Sequence, residues 1–280
     1  MTDAGSEEAL VQTDGLTKRF GEFTAVDRVD LAVDRGEFRS IIGPNGAGKT
    51  TLFNLLSGAM TPTEGTITLA GTDITELSPT ERVAAGLARS FQLTTVFDGL
   101  SVRENLRLAA QADQFEELSA PRQLFADPDD LDGVNRRTDA VLDELELRSV
   151  ADVRASDLSY GDRRRLEVGL VLATDPEVVL LDEPTAGMSG DETEATIDLF
   201  EDVLADKTVV LVEHNVDLVM RVSDRITTLN AGRVVATGTP DEIAADDRVQ
   251  EAYLGGYTAE WPMIHVRKTA SKTRSPGSTL

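Results

Sequence analysis

The chain alternates short, densely apolar runs with amphipathic stretches, and that rhythm predicts an α/β fold. Residues 10–13, 29–33 and 66–69 are brief β-type runs punctuated by Gly and Asp, which predicts a small antiparallel sheet. Residues 38–42, 178–182 and 208–213 are largely apolar runs of strand length, the pattern of parallel strands covered on both faces. Residues 51–56 read as an apolar helix that follows the 38–42 strand, and residues 226–238 as a hairpin turning at Asn230, Ala231 and Gly232. Between the two halves, residues 93–157 hold few β-type runs but show helical patterns at 102–111 and 136–147, so they read as an inserted helical subdomain. Within it, the acidic, turn-rich run 125–133 reads as a surface excursion. Residues 1–9 and 257–280 read as flexible tails flanking a domain of residues 10–256.

Composition narrows the class. With 280 residues, 40% of them hydrophobic, the chain has material for a substantial core. No apolar run approaches the roughly 18 residues of a membrane span. The start MTDAGSEEAL lacks the basic and apolar regions of a signal peptide, so the expectation is a cytoplasmic protein. Cysteine is absent, which excludes disulfides, thiolate metal sites and cysteine nucleophiles. The only imidazoles are His214 and His265, too few to favour a structural zinc site. A formal net charge of −23 argues against a generally basic nucleic-acid surface. Lysine occupies only positions 18, 49, 207, 268 and 272, with arginine supplying the other cations. That profile suggests a salt-rich cytoplasm, because about 1 M salt shortens the screening length to roughly 3 Å and lets like charges coexist.

The chemistry lies in two runs. GPNGAGKT, at residues 43–50, fits the GxxxxGK[ST] pattern between an apolar strand and an apolar helix. In that pattern main-chain N–H groups at Gly43, Asn45, Gly46, Ala47 and Gly48 surround phosphate oxygens, with Pro44 shaping the turn, Lys49 reaches the β and γ phosphates, Thr50 ligates Mg2+, and Thr51 follows in the helix start. VVLLDEP, at residues 178–184, ends a strand in two acids. Asp182 is the candidate Mg2+ ligand and Glu183 the candidate general base for an attacking water. A third run, LSYGDRRRLE from Leu158, places Ser159, Tyr160 and Gly161 at the start of an amphipathic helix, a further candidate anion site.

The order of phosphate loop, LSGGQ-like segment, LLDEP and a lone histidine after a strand resembles the ATP-binding cassette (ABC) ATPases over nearly the whole chain. The resemblance implies a P-loop NTPase fold: a RecA-like parallel core with an antiparallel β subdomain and an inserted α-helical subdomain. It implies that Gln92 senses Mg2+ and the γ phosphate, that His214 contacts the γ phosphate, and that Phe20 stacks on adenine. It also implies a second cassette, identical or similar, whose Ser159 and Gly161 complete the site head to tail. Two departures stand out: Tyr160 and Asp162 at the third and fifth positions of the signature, and Ser189 to Asp191 where many relatives have leucine followed by aspartate.

The wordings ARSFQ, PTAGMS, LVEHNVDLVM and EAYLG are most similar to the ATP-binding subunits of branched-chain amino acid importers. Such a subunit sits at the cytoplasmic face of the membrane, works with two permease subunits and, through them, with an extracytoplasmic solute-binding protein, and binds no nucleic acid. Cassettes for urea and short amides are the alternative, and a lipopolysaccharide-export ATPase shares the RRRLE-like helix. A soluble cassette acting in repair or on the ribosome is disfavoured by the short insert and the single cassette. A P-loop GTPase is disfavoured because the chain has no NKxD.

Overall fold

The computed structural model describes residues 9–90, 96–111 and 132–254. Gln92, nearly all of the run 125–133 and both expected tails except residue 9 lie outside the described residues. The strands are β1 (Val11–Phe20), β2 (Phe23–Val33), β3 (Phe38–Ile42), β4 (Glu64–Leu69), β5 (Thr72–Asp73), β6 (Leu87–Ser90), β7 (Val178–Asp182), β8 (Thr208–Val212), β9 (Arg225–Asn230) and β10 (Arg233–Gly238). The helices are α1 (Lys49–Leu56), α2 (Pro79–Ala84), α3 (Val102–Ala110), α4 (Asp132–Glu144), α5 (Tyr160–Leu172), α6 (Gly190–Val203), α7 (Val216–Val222), α8 (Pro240–Ala245) and α9 (Asp247–Leu254).

Two sheets result. An antiparallel sheet runs β2-β1-β4-β5, and a second sheet runs β10-β9-β3-β8-β7-β6, parallel at every pairing except β9 with β10. The central strands are apolar throughout because both of their faces are covered. Ile41, Leu180, Val210 and Val212 point into a cluster with Leu16, Val29, Phe53 and Ile67 of the antiparallel sheet and α1. Their alternating neighbours Val179, Leu181, Val209 and Leu211 point the other way, into a cluster with Leu106, Val141, Leu145, Leu166 and Phe200 from the helical side. The helical segment and α5 share that second cluster closely. A Cβ added at Gly169 of α5 would stand 2.7 Å from Leu145 and 2.9 Å from Leu106, so the helices meet at a glycine.

Register sets where the site forms. Val212 of β8 is level with Ile41 of β3 on one side and with Asp182 of β7 on the other. Three parallel strands therefore finish together, and ligands of open α/β sheets bind beyond such carboxyl ends.

Several elements differ from the expectation. The runs at 10–13 and 29–33 are the ends of two long strands joined by a tight turn at Gly21 and Glu22. The register between these strands shifts at Thr13/Leu16, Leu16/Lys18 and Lys18/Arg19, and these irregularities hide the alternation that would have revealed them. The hairpin turn is a two-residue Ala231-Gly232 turn, with φ of 47° and 79°. Both central residues at positive φ give the mirror-image turn that suits the strand twist. Helix α1 begins at Lys49 rather than residue 51, and α4 begins at Asp132 rather than residue 136. Behind the phosphate loop, buried Arg82 of α2 donates to the carbonyls of Leu55 (2.6 Å), Leu56 (2.7 Å), Thr75 (2.8 Å) and Leu77 (3.1 Å). It thereby satisfies the C-terminal carbonyls of α1 and anchors that helix from the rear.

Candidate functional site

The loop at residues 43–48 is held by its surroundings before any ligand contacts it. The Ala47 N–H donates to the Pro44 carbonyl at 3.1 Å and closes the loop. The Gly232 N–H donates to the Ala47 carbonyl at 2.9 Å, and the Asp27 N–H to the Gly232 carbonyl at 2.8 Å, so β2, the β9–β10 turn and the loop are stitched together. This closeness requires glycine at two positions. A Cβ at Gly43 (φ +155°) would lie 2.2 Å from the Leu229 carbonyl oxygen, and one at Gly48 (φ +102°) 2.4 Å from that of Ala25. Asn45, Gly46 and Thr50 are exposed, Pro44, Gly48 and Thr51 half-buried, and Ala47 buried. Gly48 caps α1 without a side-chain hydrogen bond, and the first turn of that helix carries no acid. The amides at the helix start are thus oriented as an anion site.

Lys49 is 5% exposed and folds back over this loop. Its Nζ donates to the carbonyls of Gly43 at 2.6 Å and Pro44 at 3.1 Å. Burial lowers the pKa of its ammonium group, and the negative charge of Glu183 opposes that shift.

The two acids of LLDEP point to different partners. Asp182 Oδ2 accepts from Arg89 Nη2 at 2.8 Å, and the same guanidinium donates to Asn54 Oδ1 (2.8 Å) and Ser57 Oγ (3.1 Å) on α1 while lying 4.8 Å from the centre of the Phe53 ring. Glu183 has a left-handed backbone, φ 44°, unusual for a residue with a side chain and of a kind that concentrates at functional sites. Its N–H donates to the Val212 carbonyl at 2.8 Å. Its carboxylate Oε1 lies 2.9 Å from Nε2 of His214, an exposed side chain just beyond β8.

Two groups here were not assigned roles from the sequence, although both stand in runs it singled out. Arg89, in ARSFQ, reaches Asp182 only because β6 pairs with β7, and a single sequence does not reveal that pairing. Glu213, in LVEHN, is a buried acid that accepts from the main chain on both sides of the site. An acid at the end of an apolar strand was the available signal.

The signature segment forms a separate cluster. Ser159 caps α5: its Oγ accepts from the Asp162 N–H at 3.1 Å and donates to Asp162 Oδ2 at 2.7 Å. Ser159, Tyr160 and Gly161 are exposed. Among the described residues no hydrogen bond or ion pair joins these three to the phosphate loop. Farther along the same helix, Arg164 donates to the Pro184 carbonyl at 2.6 Å. Burial and the charge of Glu192 raise the pKa of the Tyr160 phenol. Phe20 ends β1, 48% exposed, with the Lys18 ammonium 5.5 Å from its ring centre. It belongs to the same β1–β2 hairpin whose Ala25 abuts Gly48.

Among the described residues no three His, Cys, Asp or Glu side chains gather as a metal cage. The oxygens of Asp182 and the hydroxyl of Thr50, an exposed residue, nevertheless suit Mg2+, a hard ion that commonly takes one or two carboxylates and completes its shell with phosphate and water.

Comparison with known proteins agrees with this geometry. The ABC transporter family matches residues 26–186, and a family described as branched-chain amino acid ATP-binding cassette transporter matches residues 233–259. The high-affinity branched-chain amino acid transport ATP-binding protein LivG of Salmonella typhimurium is 40% identical over 256 residues, covering 89% of this chain and 98% of the relative. The crystal structure of the ADP conformation of MJ1267, an ATP-binding cassette of an ABC transporter, superposes with a TM-score of 0.72 at 29% identity, covering 88% of this chain and 99% of that one. A dimeric post-hydrolysis state of the cassette MJ0796, bound to ADP and Pi, superposes with a TM-score of 0.62 at 26% identity, covering 82% and 98%. Fold, motif order and relatives coincide, and the chain belongs to the ABC transporter family of ATP-binding cassettes.

Proposed function

We propose that this chain is the ATP-binding and ATP-hydrolysing subunit of an importer for branched-chain amino acids, working at the cytoplasmic face of the membrane against separate permease subunits. Residues 10–256 are the cassette domain, with the helical insert at about 93–157. Gly43 to Gly48 and the first amides of α1 bind the triphosphate, with Thr51 at the helix start and Phe20 against the adenine. Lys49 exchanges its loop carbonyls for the β and γ phosphates. A Mg2+ ion held by Thr50, Asp182 and Gln92 would neutralise charge on the transferring phosphoryl group. Glu183 orients the attacking water and takes its proton, and His214 steadies Glu183 and meets the γ phosphate. Ser159, Tyr160 and Gly161 of a second cassette close over the nucleotide from the other side. The dimer reported for the related cassette MJ0796 supports that arrangement.

The observation that carries hydrolysis is the 2.9 Å Glu183–His214 pair at the level where β3, β7 and β8 end, beside the buried Lys49. The branched-chain reading is supported by the match at residues 233–259 and by the similarity to LivG. Among the described residues no helix is long and apolar enough to cross a membrane, so transport requires permease partners. The acidic surface suits a salt-rich cytoplasm.

The test is Glu183→Gln. Turnover should fall by about 10²- to 10⁴-fold with ATP still bound, and the ATP-bound dimer should accumulate. Undiminished steady-state hydrolysis would remove Glu183 from the mechanism. For the solute, the subunit purified with its permeases and binding protein should hydrolyse faster with leucine or valine. Stimulation by urea alone would favour the short-amide reading.

A further inference from the structure

We infer that Glu213 is a positioning residue that braces the Glu183–His214 pair. The inference rests on the hydrolytic reading given above. Glu213 follows β8 and is 3% exposed. A carboxylate removed from water is costly unless its oxygens are fully hydrogen-bonded. Among the described residues no cationic side chain pairs with it. Main-chain and hydroxyl donors do so instead, and they divide between two segments. Oε1 accepts from the Thr185 N–H at 3.1 Å and from the Thr185 hydroxyl. Oε2 accepts from the N–H groups of His214 at 2.6 Å and Asn215 at 3.0 Å.

One oxygen therefore grips the segment that carries Glu183, two residues before Thr185, and the other grips the segment that carries His214. The Glu183 N–H bond to the Val212 carbonyl, 2.8 Å, ties the same segments on the near side of Glu183. Glu183 lies between these two ties with its backbone at φ 44°. A left-handed residue with a side chain is strained, and it persists where the surrounding structure holds it. The brace requires two acceptor oxygens on one rigid group. Glutamine fills the same volume but turns a donor toward N–H groups at one of the two segments. Glutamate is thus the side chain that satisfies both, and its effect on the chemistry passes through the placement of Glu183 and His214.

Glu213→Gln in the full chain with Mg2+ and ATP tests this. The expected result is a fall in kcat of about ten- to a hundredfold, the cost of misplacing a catalytic group by about an ångström, with the Kd for ATP within about twofold of wild type. The chain has two histidines, so the imidazole NMR signals of His214 and His265 can be told apart with a His265→Gln reference. The His214 signal should move in Glu213→Gln in the same sense as in Glu183→Gln, and the His265 signal should stay. If Glu213→Gln does not fold, Thr185→Val removes only the hydroxyl bond and should give a smaller loss of kcat with the same movement of the His214 signal. A wild-type kcat, or a reduced kcat with an unmoved His214 signal, overturns the brace. If Glu183→Gln itself keeps full turnover, the hydrolytic reading fails. If Glu183→Gln is inactive while Glu213→Gln turns over normally, only the brace fails.

Discussion

The phosphate loop and the signature segment are both helix starts rich in small and polar residues, yet they are held in opposite ways. Around Gly43 to Lys49, main-chain hydrogen bonds from β2 and the β9–β10 turn fix the loop, and glycines are pressed against neighbouring carbonyls. Around Ser159 to Gly161 the chain is exposed, and the hydrogen bonds of Ser159 go to its own helix. The first region is a cradle completed within one chain, with its ordering cost met during folding. The second is presented outward, with no hydrogen bond or ion pair to the phosphate loop among the described residues. The difference is the one that a site shared between two cassettes requires.

The largest effects should separate the two regions. Ser159→Arg places a long cation on the outward surface, and ATP-driven dimerisation by light scattering should be lost while the monomer binds ATP within about twofold of wild type, since a change on an exposed position costs the fold little. Normal dimerisation would break the comparison on its outward side. Lys49→Ala should act on the other side, lowering ATP affinity by about a hundredfold in calorimetry, the equivalent of one strong charge-assisted hydrogen bond of about 3 kcal/mol. Unchanged affinity would mean that the cradle does not hold phosphate.

A smaller effect sharpens the claim that the cradle is fixed by packing. Gly48→Ala meets the Ala25 carbonyl 2.4 Å away at φ +102°, whereas Gly46→Ala, at φ +80°, has nothing within 4 Å. Denaturant midpoints should show a loss of about 2–4 kcal/mol for the first and about 1 kcal/mol for the second. Equal losses would mean that backbone conformation alone, and not contact with β2, selects the glycine.

What the sequence made legible follows the same division between local and distant determinants. GPNGAGKT, the strand VVLLD and the hairpin at residues 226–238 are specified by neighbouring residues, and the structure has them as a loop entering a helix, a strand and a hairpin. The α/β class and the mixed antiparallel and parallel sheets were legible because apolar runs and alternation differ in kind. The middle of the β1–β2 hairpin was not, since irregular register and residues such as Asp14 and Gly15 disguise long strands as short ones. Arg89 and Glu213 were not legible as site residues either. Their partners, Asp182 and Thr185, are brought to them by strand pairing, which no local spacing encodes. Gln92 lies outside the described residues, so its role rests on the resemblance.

The smallest predicted effect concerns Asp162, where the signature departs from its commonest wording. The Ser159 hydroxyl has one proton, and at 2.7 Å that proton is directed to the Asp162 carboxylate. A phosphate arriving from a partner cassette would meet a serine oxygen whose proton is already engaged, beside a negative charge. Asp162→Asn keeps the size, removes the charge and weakens the hold on the hydroxyl, because a hydrogen bond to a charged acceptor is about twice as strong as a neutral one. Exposed charge interactions amount to about 0.2–1 kcal/mol, so ATP-dependent dimerisation should tighten by about 1.4- to fivefold. The opposing term is the favourable placement of an acid in the first turn of α5, and losing it should cost the fold at most about 1 kcal/mol. Salt separates the two parts of the gain. At about 1 M salt the screening length is roughly 3 Å, so the share that comes from charge repulsion should vanish and the share that comes from freeing the hydroxyl should remain. Dimerisation that weakens in Asp162→Asn at every salt concentration would show instead that Asp162 itself contributes to the contact with the second cassette.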